Sequence, residues 1–413
     1  MCAGPRSGQP RRFYPPGVLR KGLRLSKAQF RSLLYNAGVK SWDVTIIGGG
    51  LIGLSLAISL RKEGLRVLIV ERGEPGREAS YAAAGMLAAG AEIPPPLRGL
   101  AEESARAYPE FVHELEDESG VEVDLRDQGS IALSHTNDAA AEPLSPERLR
   151  SLEPALAFPP ASESQELGRP ALDGASEICA AYLRERSVDP RTLITAAIKA
   201  AHHRQVDIAS GTEVKSLIIQ DGRIRGVETD RSAYSAAIVV NCAGAWAGNI
   251  ASCDFPVHPV KGQMLSVVGG PAVEHVIRSE DVYLVPRSDG RLLIGSTLER
   301  AGFNKQTDVN TLRRLFQAAV RLVPGLANSR RHEAWAGLRP GTPDDLPILG
   351  ETVTSGFFVA SGHYRDGILL APITARVMTA LLLGKSPEFD LRPFSPARFV
   401  EQHHGGTGAR EYL

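Results

Sequence analysis

The sequence predicts an α/β protein in which a Rossmann-type dinucleotide-binding domain is interrupted by an antiparallel-sheet domain. Three observations predict it. A strand-glycine-helix-strand-acid series opens the body of the chain, short strands with tight turns fill its middle, and a second strand-glycine-helix unit lies near its end. Two such units at opposite ends imply one ligand contacted from both, and hence a discontinuous domain.

The first unit begins with Asp43-Val44-Thr45-Ile46-Ile47, an apolar, β-branched run bounded by glycine. Gly48-x-Gly50-x-x-Gly53 follows, at the junction with a helix signalled by Leu51, Leu54 and Ile58. In that spacing Gly48 makes a tight turn, Gly50 lets the backbone approach a pyrophosphate, and Gly53 lets helix and strand pack closely. The helix N-terminus offers free N–H groups to the phosphates. A second strand, Arg66 to Val70, ends in Glu71, close to the distance at which an acid meets ribose hydroxyls. Beyond it, GREASYAAAGMLAAGAE (76–92) carries few large side chains, which suits a segment lying against a flat ring.

In the middle of the chain, residues 98–119 read as an amphipathic helix and 121–134 as two short strands around Asp127-Gln128-Gly129. Residues 137–175 read as surface loops with a short helix at 145–152. Asp189 is a good N-cap, with Pro190 in the first turn, for a helix to about His203, and Arg191 reads as a first-turn surface residue. Asp221-Gly222 turns a hairpin. Residues 256–298 read as antiparallel sheet with a hairpin about Ser288-Asp289-Gly290, and 308–322 as a helix ending at Pro324-Gly325. GFFVASGHYRDGILLAPITARVMTALLLG then repeats strand, glycine-containing turn and apolar helix.

Composition narrows the function classes. The 413 residues are 43% hydrophobic and 23% charged, with no net charge. Residues 1–41 hold nine Lys/Arg and no acid, so the rest of the chain carries 38 basic against 47 acidic residues, an acidic body that argues against nucleic-acid binding. That basic segment has no secretory apolar core. It reads as a targeting peptide, a basic disordered tail or a start codon assigned too early. The charge-free run Val44 to Leu60 is too short for a membrane span and contains the glycine turn. Cys2, Cys179, Cys242 and Cys253 show no metal-ligand spacing, Cys242 reads as a core residue, and the cytoplasm is the expected compartment.

The motifs IIGGGLIG, AAAGML, VNCAGAW, PVKGQ, YLVPRSDGRLLIGST, WAGLRPGTPD and GHYRDGILLAP, spread over roughly residues 42–385, resemble the FAD-dependent D-amino-acid oxidase superfamily. Within it they are most similar to the glycine oxidases of thiamine biosynthesis. The resemblance implies a D-amino-acid-oxidase-like fold with a discontinuous FAD-binding domain at 42–95, 175–252 and 335–385. The substrate domain would then be 96–174 and 253–334, between an N-terminal extension (1–41) and a C-terminal tail (386–413). It implies FAD contacts from Gly48, Gly50, Leu51, Ile52 and Gly53 in the first turn, and from Glu71 and Arg72 at the ribose. Ala79, Ser80, Ala84, Gly85 and Met86 would border the pyrophosphate and flavin, and Val214 the adenine. His363, Tyr364, Arg365, Asp366, Gly367, Ile368 and Leu369 would follow the pyrimidine edge of the flavin. FAD is expected to be non-covalent, because relatives with covalent flavin carry a cysteine where this chain has Gly337.

On the substrate side the resemblance points to Arg339, Arg365 and Tyr283. Arg339 interrupts the run Trp335-Ala336-Gly337-Leu338, a costly place for an unpaired charge. A planar guanidinium can hold a carboxylate by two parallel hydrogen bonds. No catalytic acid or base is expected; His258 reads as structural and His363 as a backbone contact. Leu298 stands where the best-known glycine oxidases have methionine, which leaves the amine preference open. The implied reaction is oxidation of glycine, other small amino acids or N-methylglycine at Cα, with hydride transfer to flavin N5, an imine product for the thiazole branch of thiamine biosynthesis, and O2 reduced to hydrogen peroxide. The rivals are a dehydrogenase of the same fold with a non-oxygen electron acceptor, and a non-catalytic dinucleotide-binding module. A homo-oligomer is left open.

Overall fold

The computed structural model describes residues 41–90, 92–134, 142–157, 179–251 and 253–399. The expectations for the basic segment before Ser41, and for the end of the C-terminal tail, lie outside the described residues.

The strand Ser41–Ile47 is buried along almost its whole length, as suits a central parallel strand covered on both faces. It pairs in parallel with Val67–Val70 on one side and Ala233–Asn241 on the other. Asp207–Ala209 extends the sheet beyond Val67–Val70. The strand Ala233–Asn241 is long enough to share one edge between two partners. Its first residues pair with the hairpin Val214–Gln220 and Arg223–Thr229, and its last residues pair in parallel with Phe357–Ser361, to which Ile348–Glu351 is added. The hairpin turns at Asp221 and Gly222, both at positive φ (52° and 71°), the conformation a two-residue turn between twisted strands requires.

Side chains alternate across this sheet. Val44, Ile46, Ile69 and Val240 pack with the helices Leu51–Lys62, Arg98–Ser119, Pro190–His203 and Ala371–Leu382. Leu68, Val70, Val239, Ile224 and Phe357 build a second cluster. Helix starts follow their local signals: Asp189 accepts the Arg191 N–H at 2.9 Å and Pro190 is the first helical residue.

The second sheet, antiparallel except where Val276–Arg278 runs parallel to Ser130–Ser134, has the order Arg330–Gly341, His258–Val268, Leu292–Gly295, Tyr283–Pro286, Val276–Arg278, Ser130–Ser134, Cys179–Leu183, Glu142–Pro143. The helix Val309–Leu322 covers it with Leu312, Leu315 and Ala319 against Leu265, Leu284 and Ile294. A small third sheet joins Met86–Leu87, Arg186–Val188 and Leu125–Arg126.

Three segments depart from the expected partition. The helix Arg98–Ser119, expected with the substrate domain, packs its apolar face among the nucleotide-domain helices, and Ser104 Oγ and Tyr108 Oη donate to the carbonyls of Leu369 (2.6 Å) and Ile368 (3.1 Å). The strand Cys179–Leu183, expected with the FAD-binding domain, pairs with Ser130–Ser134 in the antiparallel sheet. The boundary expected at 335 falls inside the strand Arg330–Gly341, whose ladder with His258–Val268 continues through it. In each case the chain follows the partner that buries its apolar face.

Tyr108 is fully buried and its hydroxyl has the Ile368 carbonyl as partner. Tyr108→Phe removes this bond, leaving the carbonyl the longer one from Ala371 N (3.3 Å), and is expected to lower the unfolding free energy by about 1 kcal/mol, measured by urea denaturation.

Candidate functional site

The site begins at the glycine turn. Gly48 has φ +103°, and a Cβ there would stand 2.5 Å from the Cys242 carbonyl oxygen. A Cβ on Gly53 would collide with the carbonyl oxygen of Gly48. The helix Leu51–Lys62 therefore starts directly over the end of the strand. Its N-cap, Gly50, makes no side-chain cap, so the first turn keeps its N–H groups for other partners. Leu51 N donates to Ser80 Oγ at 3.1 Å. The Glu71 carboxylate accepts from Gly49 N and Gly73 N, each at 2.8 Å. Glu71 thus braces the glycine loop as well as facing the cavity.

A cavity of about 410 Å³ opens along this turn and is lined from both sheets. Gly48, Gly50, Leu51, Ile52, Glu71, Arg72, Ala79, Ser80, Ala84, Gly85, Met86, Val214, His363, Tyr364, Arg365, Gly367 and Ile368 line it, as do Tyr283 and Arg339. Three expected cofactor residues stand outside its wall. Gly53 lies under the turn, where its role is packing. Leu369 is buried in the core. Asp366 sits half-buried beside Arg365.

The Arg339 guanidinium is half-buried and held by neutral groups: Nη2 donates to Ser296 Oγ at 2.6 Å and Nη1 to the Thr297 carbonyl at 3.2 Å. It lies in the notch left by Gly262 on the neighbouring strand, where an added Cβ would overlap both terminal nitrogens. Among the described residues neither Arg339 nor Arg365 has an ion-pair partner within 4.0 Å. Tyr364 N donates to the Pro340 carbonyl at 3.0 Å, which sets the turn carrying the exposed Arg365 beside Arg339. Tyr283 Oη reaches the sulfur of Met264 at 3.6 Å, a weak acceptor that leaves the hydroxyl available. His363 is buried with Nε2 at 3.0 Å from Thr374 Oγ1, and burial drives its pKa down to about 3, so the ring stays neutral. His258 is exposed and does not line the cavity. Leu298 does line it, and is 61% exposed.

Arg191 is not the surface residue its helix position suggests. Its guanidinium lies over the rings of Tyr81 (4.2 Å) and Trp335 (4.8 Å) and pairs with Glu333. Trp335 Nε1 in turn donates to the Ala82 carbonyl at 3.0 Å. This group fastens the helix Ala79–Ala82 to the strand Arg330–Gly341, so closely that a Cβ on Gly337 would stand 2.5 Å from the Ala82 Cβ. Sequence reasoning also passed over Ser296, Met264 and Trp246, which line the cavity. Trp246 stacks under the Arg72 guanidinium at 3.6 Å, and the one large ring in an otherwise small-residue motif was the available signal.

The arrangement suits FAD. An uncapped helix N-terminus behind a side-chain-free turn faces a cavity that Glu71 also lines, and neutral small residues continue the wall to an unpaired arginine. The family model described as FAD dependent oxidoreductase matches residues 43–381. A bifunctional protein ThiO/ThiG from Synechocystis sp. is 34% identical over 374 residues, which is 87% of this chain; the chain spans only 54% of that relative's length. A glycine oxidase from Pseudomonas aeruginosa is 33% identical, with 86% of this chain and 98% of the relative aligned. The crystal structure of glycine oxidase from Geobacillus kaustophilus superimposes with a TM-score of 0.79 at 31% identity, covering 89% of this chain and all of that one. No helix among the described residues is long and apolar enough to cross a membrane.

Two outcomes are expected. Gly337→Ala forces the helix Ala79–Ala82 off its strand, an overpacking cost of about 1–3 kcal/mol, and should release flavin during gel filtration that retains it in the parent. Burial pushes the Asp366 carboxyl up to about 6, against the pull of Arg365, with Glu92 and Asp345 adding to the rise. The fold therefore favours the protonated acid, and that contribution, complete in acid, is lost as pH rises through about 6. Asp366→Asn should raise the melting temperature at pH about 8, and the gain should vanish below about 4, the range of an unperturbed Asp.

Proposed function

This chain belongs to the FAD dependent oxidoreductase family, and from that premise we propose that it oxidises glycine and other small amino acids, N-methylglycine included. The observation that carries the reading is Arg339, a guanidinium lining the cavity with only neutral groups to hold it. A planar fork that lacks a protein carboxylate matches a substrate carboxylate in two parallel hydrogen bonds. The glycine oxidase relatives, aligned over nearly their whole length, support the choice of substrate. The bifunctional ThiO/ThiG relative supports a role in supplying the thiazole branch of thiamine biosynthesis.

Gly48, Gly50, Leu51, Ile52, Glu71, Arg72, Ala79, Ser80, Ala84 to Met86, Val214, His363 to Arg365, Gly367 and Ile368 would hold the cofactor. FAD, when bound, supplies the two-electron oxidation of the amine. The protein's own residues do the rest. Arg339 fixes the carboxylate, and Ser296 and Thr297 keep the fork in one orientation. Tyr283 adds a hydroxyl donor, and Arg365 adds a second positive charge at the cavity wall. His363, neutral and bonded to Thr374, takes no proton. The work of the site is therefore orientation rather than acid–base catalysis. Overall, glycine and O2 give the imine and hydrogen peroxide, and water converts unused imine to glyoxylate and ammonia. Cys242 and Cys253, buried and outside any disulfide, suit a reducing cytoplasm.

Anaerobic mixing with glycine should bleach the bound flavin, whereas methylamine, which has no carboxylate, should not. Under air the turnover should yield one peroxide per glycine; bleaching without peroxide would favour the dehydrogenase. Arg339→Ala should keep its flavin and lose about tenfold to a few hundredfold in kcat/KM, the loss of a charged hydrogen-bond pair. Arg339→Lys should recover part of this, since it restores charge without the fork. Parental efficiency on glycine in Arg339→Ala would remove the anchor.

A further inference from the structure

We propose that Arg287 is a positioning residue that sets the cavity-lining backbone of Ala84–Met86 from behind the wall. The motif YLVPRSDGRLLIGST places Arg287 at the turn between the strands Tyr283–Pro286 and Leu292–Gly295. A hairpin tip of charged residues would ordinarily be solvated. This one is docked. Ser288 donates through N and Oγ to the two oxygens of Asp124 (3.0 and 2.6 Å), and Arg291 Nη2 donates to Asp189 Oδ2 at 2.8 Å. Arg126 Nη1 adds a bond to Ser288 Oγ at 3.1 Å.

Within that dock the Arg287 side chain is only 1% exposed. Nη2 donates to the carbonyl oxygen of Ala84, 203 residues away in sequence. The nearest carboxylate oxygen is Asp189 Oδ2 at 4.0 Å, already bonded to Arg291. Nε and Nη1 have no hydrogen-bond partner among the described residues. Burial pulls the guanidinium's pKa down to about 10, still charged at neutral pH. A buried cation so incompletely matched is a poor stabilising device, because its desolvation outweighs one shared ion pair. What it does supply is a directed donor to one carbonyl.

That carbonyl belongs to a segment that is also held from its other side. On its other side, Val188 N donates to the Gly85 carbonyl at 2.8 Å, and Met86 pairs with Ser187. An added Cβ at Gly85 would overlap the Val188 carbonyl. Ala84, Gly85 and Met86 all line the cavity, so the segment is clamped between the strand Arg186–Val188 and Arg287. Tyr283 lies on the same hairpin as Arg287. One hairpin thus carries a substrate-side hydroxyl and sets the cofactor-facing backbone. The inference rests on FAD occupying this cavity and not on the identity of the amine.

The test uses holoenzyme with Arg287→Met, close in length but without charge or donor, and Arg287→Lys. Arg287→Met should release FAD about tenfold faster and show shifted visible flavin bands, as loss of a charged hydrogen bond implies. Its kcat for glycine should fall while KM stays near the parental value, because Arg339 is untouched. Arg287→Lys, with one donor in place of a fork, should release FAD within about threefold of the parent. Parental bands and release rate in Arg287→Met would overturn the proposal, even with a lowered melting temperature, which a merely structural role also produces. If Arg287→Met gives no folded holoenzyme, Arg287→Gln, shorter and uncharged, decides: faster FAD release with shifted flavin bands supports positioning, and parental bands and release rate overturn it. Bands and release rate are read without glycine, so failure of the substrate reading would leave this result standing.

Discussion

The structure hangs on one backbone contact. The helix Leu51–Lys62 begins over the end of the strand Ser41–Ile47 because Gly53 carries no side chain where the Gly48 carbonyl lies. Any Cβ there would push the helix away and turn its first N–H groups out of the cavity. With the contact made, Ser80 and Glu71 fasten to the turn from two other segments. The helix also packs against Ala371–Leu382, the element that follows the turn His363 to Ile368. The two glycine-containing units at opposite ends of the chain are therefore held in fixed relation by helix packing.

The antiparallel sheet reaches this frame along a seam where three arginines have three different environments. Arg191 lies over two aromatic faces, pairs with Glu333 through one terminal nitrogen, and fastens helix to strand. Arg287 is buried and spends its directed donor on a backbone carbonyl. Arg339 is held by a hydroxyl and a carbonyl, which orient the guanidinium without cancelling its charge. An arginine paired with a carboxylate has little left for an anion, whereas one held by neutral dipoles keeps its full attraction. Residue type sets what each can do, and the partners decide which of these it does.

Glycine serves the same seam by subtraction. Gly262 makes room for the Arg339 guanidinium, and Gly337 lets the helix Ala79–Ala82 approach the strand. Neither needs an unusual backbone conformation. Each is a place where two segments come closer than a methyl group would allow, and together they bring the substrate-side arginine up to the cofactor-facing helix.

The sequence by itself determined what depends on neighbours a few residues apart. The turn at Gly48 to Gly53, the cap at Asp189, the hairpin at Asp221-Gly222 and the helices at 98–119 and 190–203 are written in local spacing, because turns, caps and amphipathic faces are satisfied within one or two turns of chain. Arg339 was also legible, as a charge inside an apolar run. Only the tertiary structure decided which sheet received Cys179–Leu183 and which helices received Arg98–Ser119, and only it showed Arg191 over two rings and Arg287 behind Ala84. Those outcomes join residues separated by tens to hundreds of positions. Burial of an apolar face or a charge is settled by whichever distant surface fits it, and no local spacing carries that information.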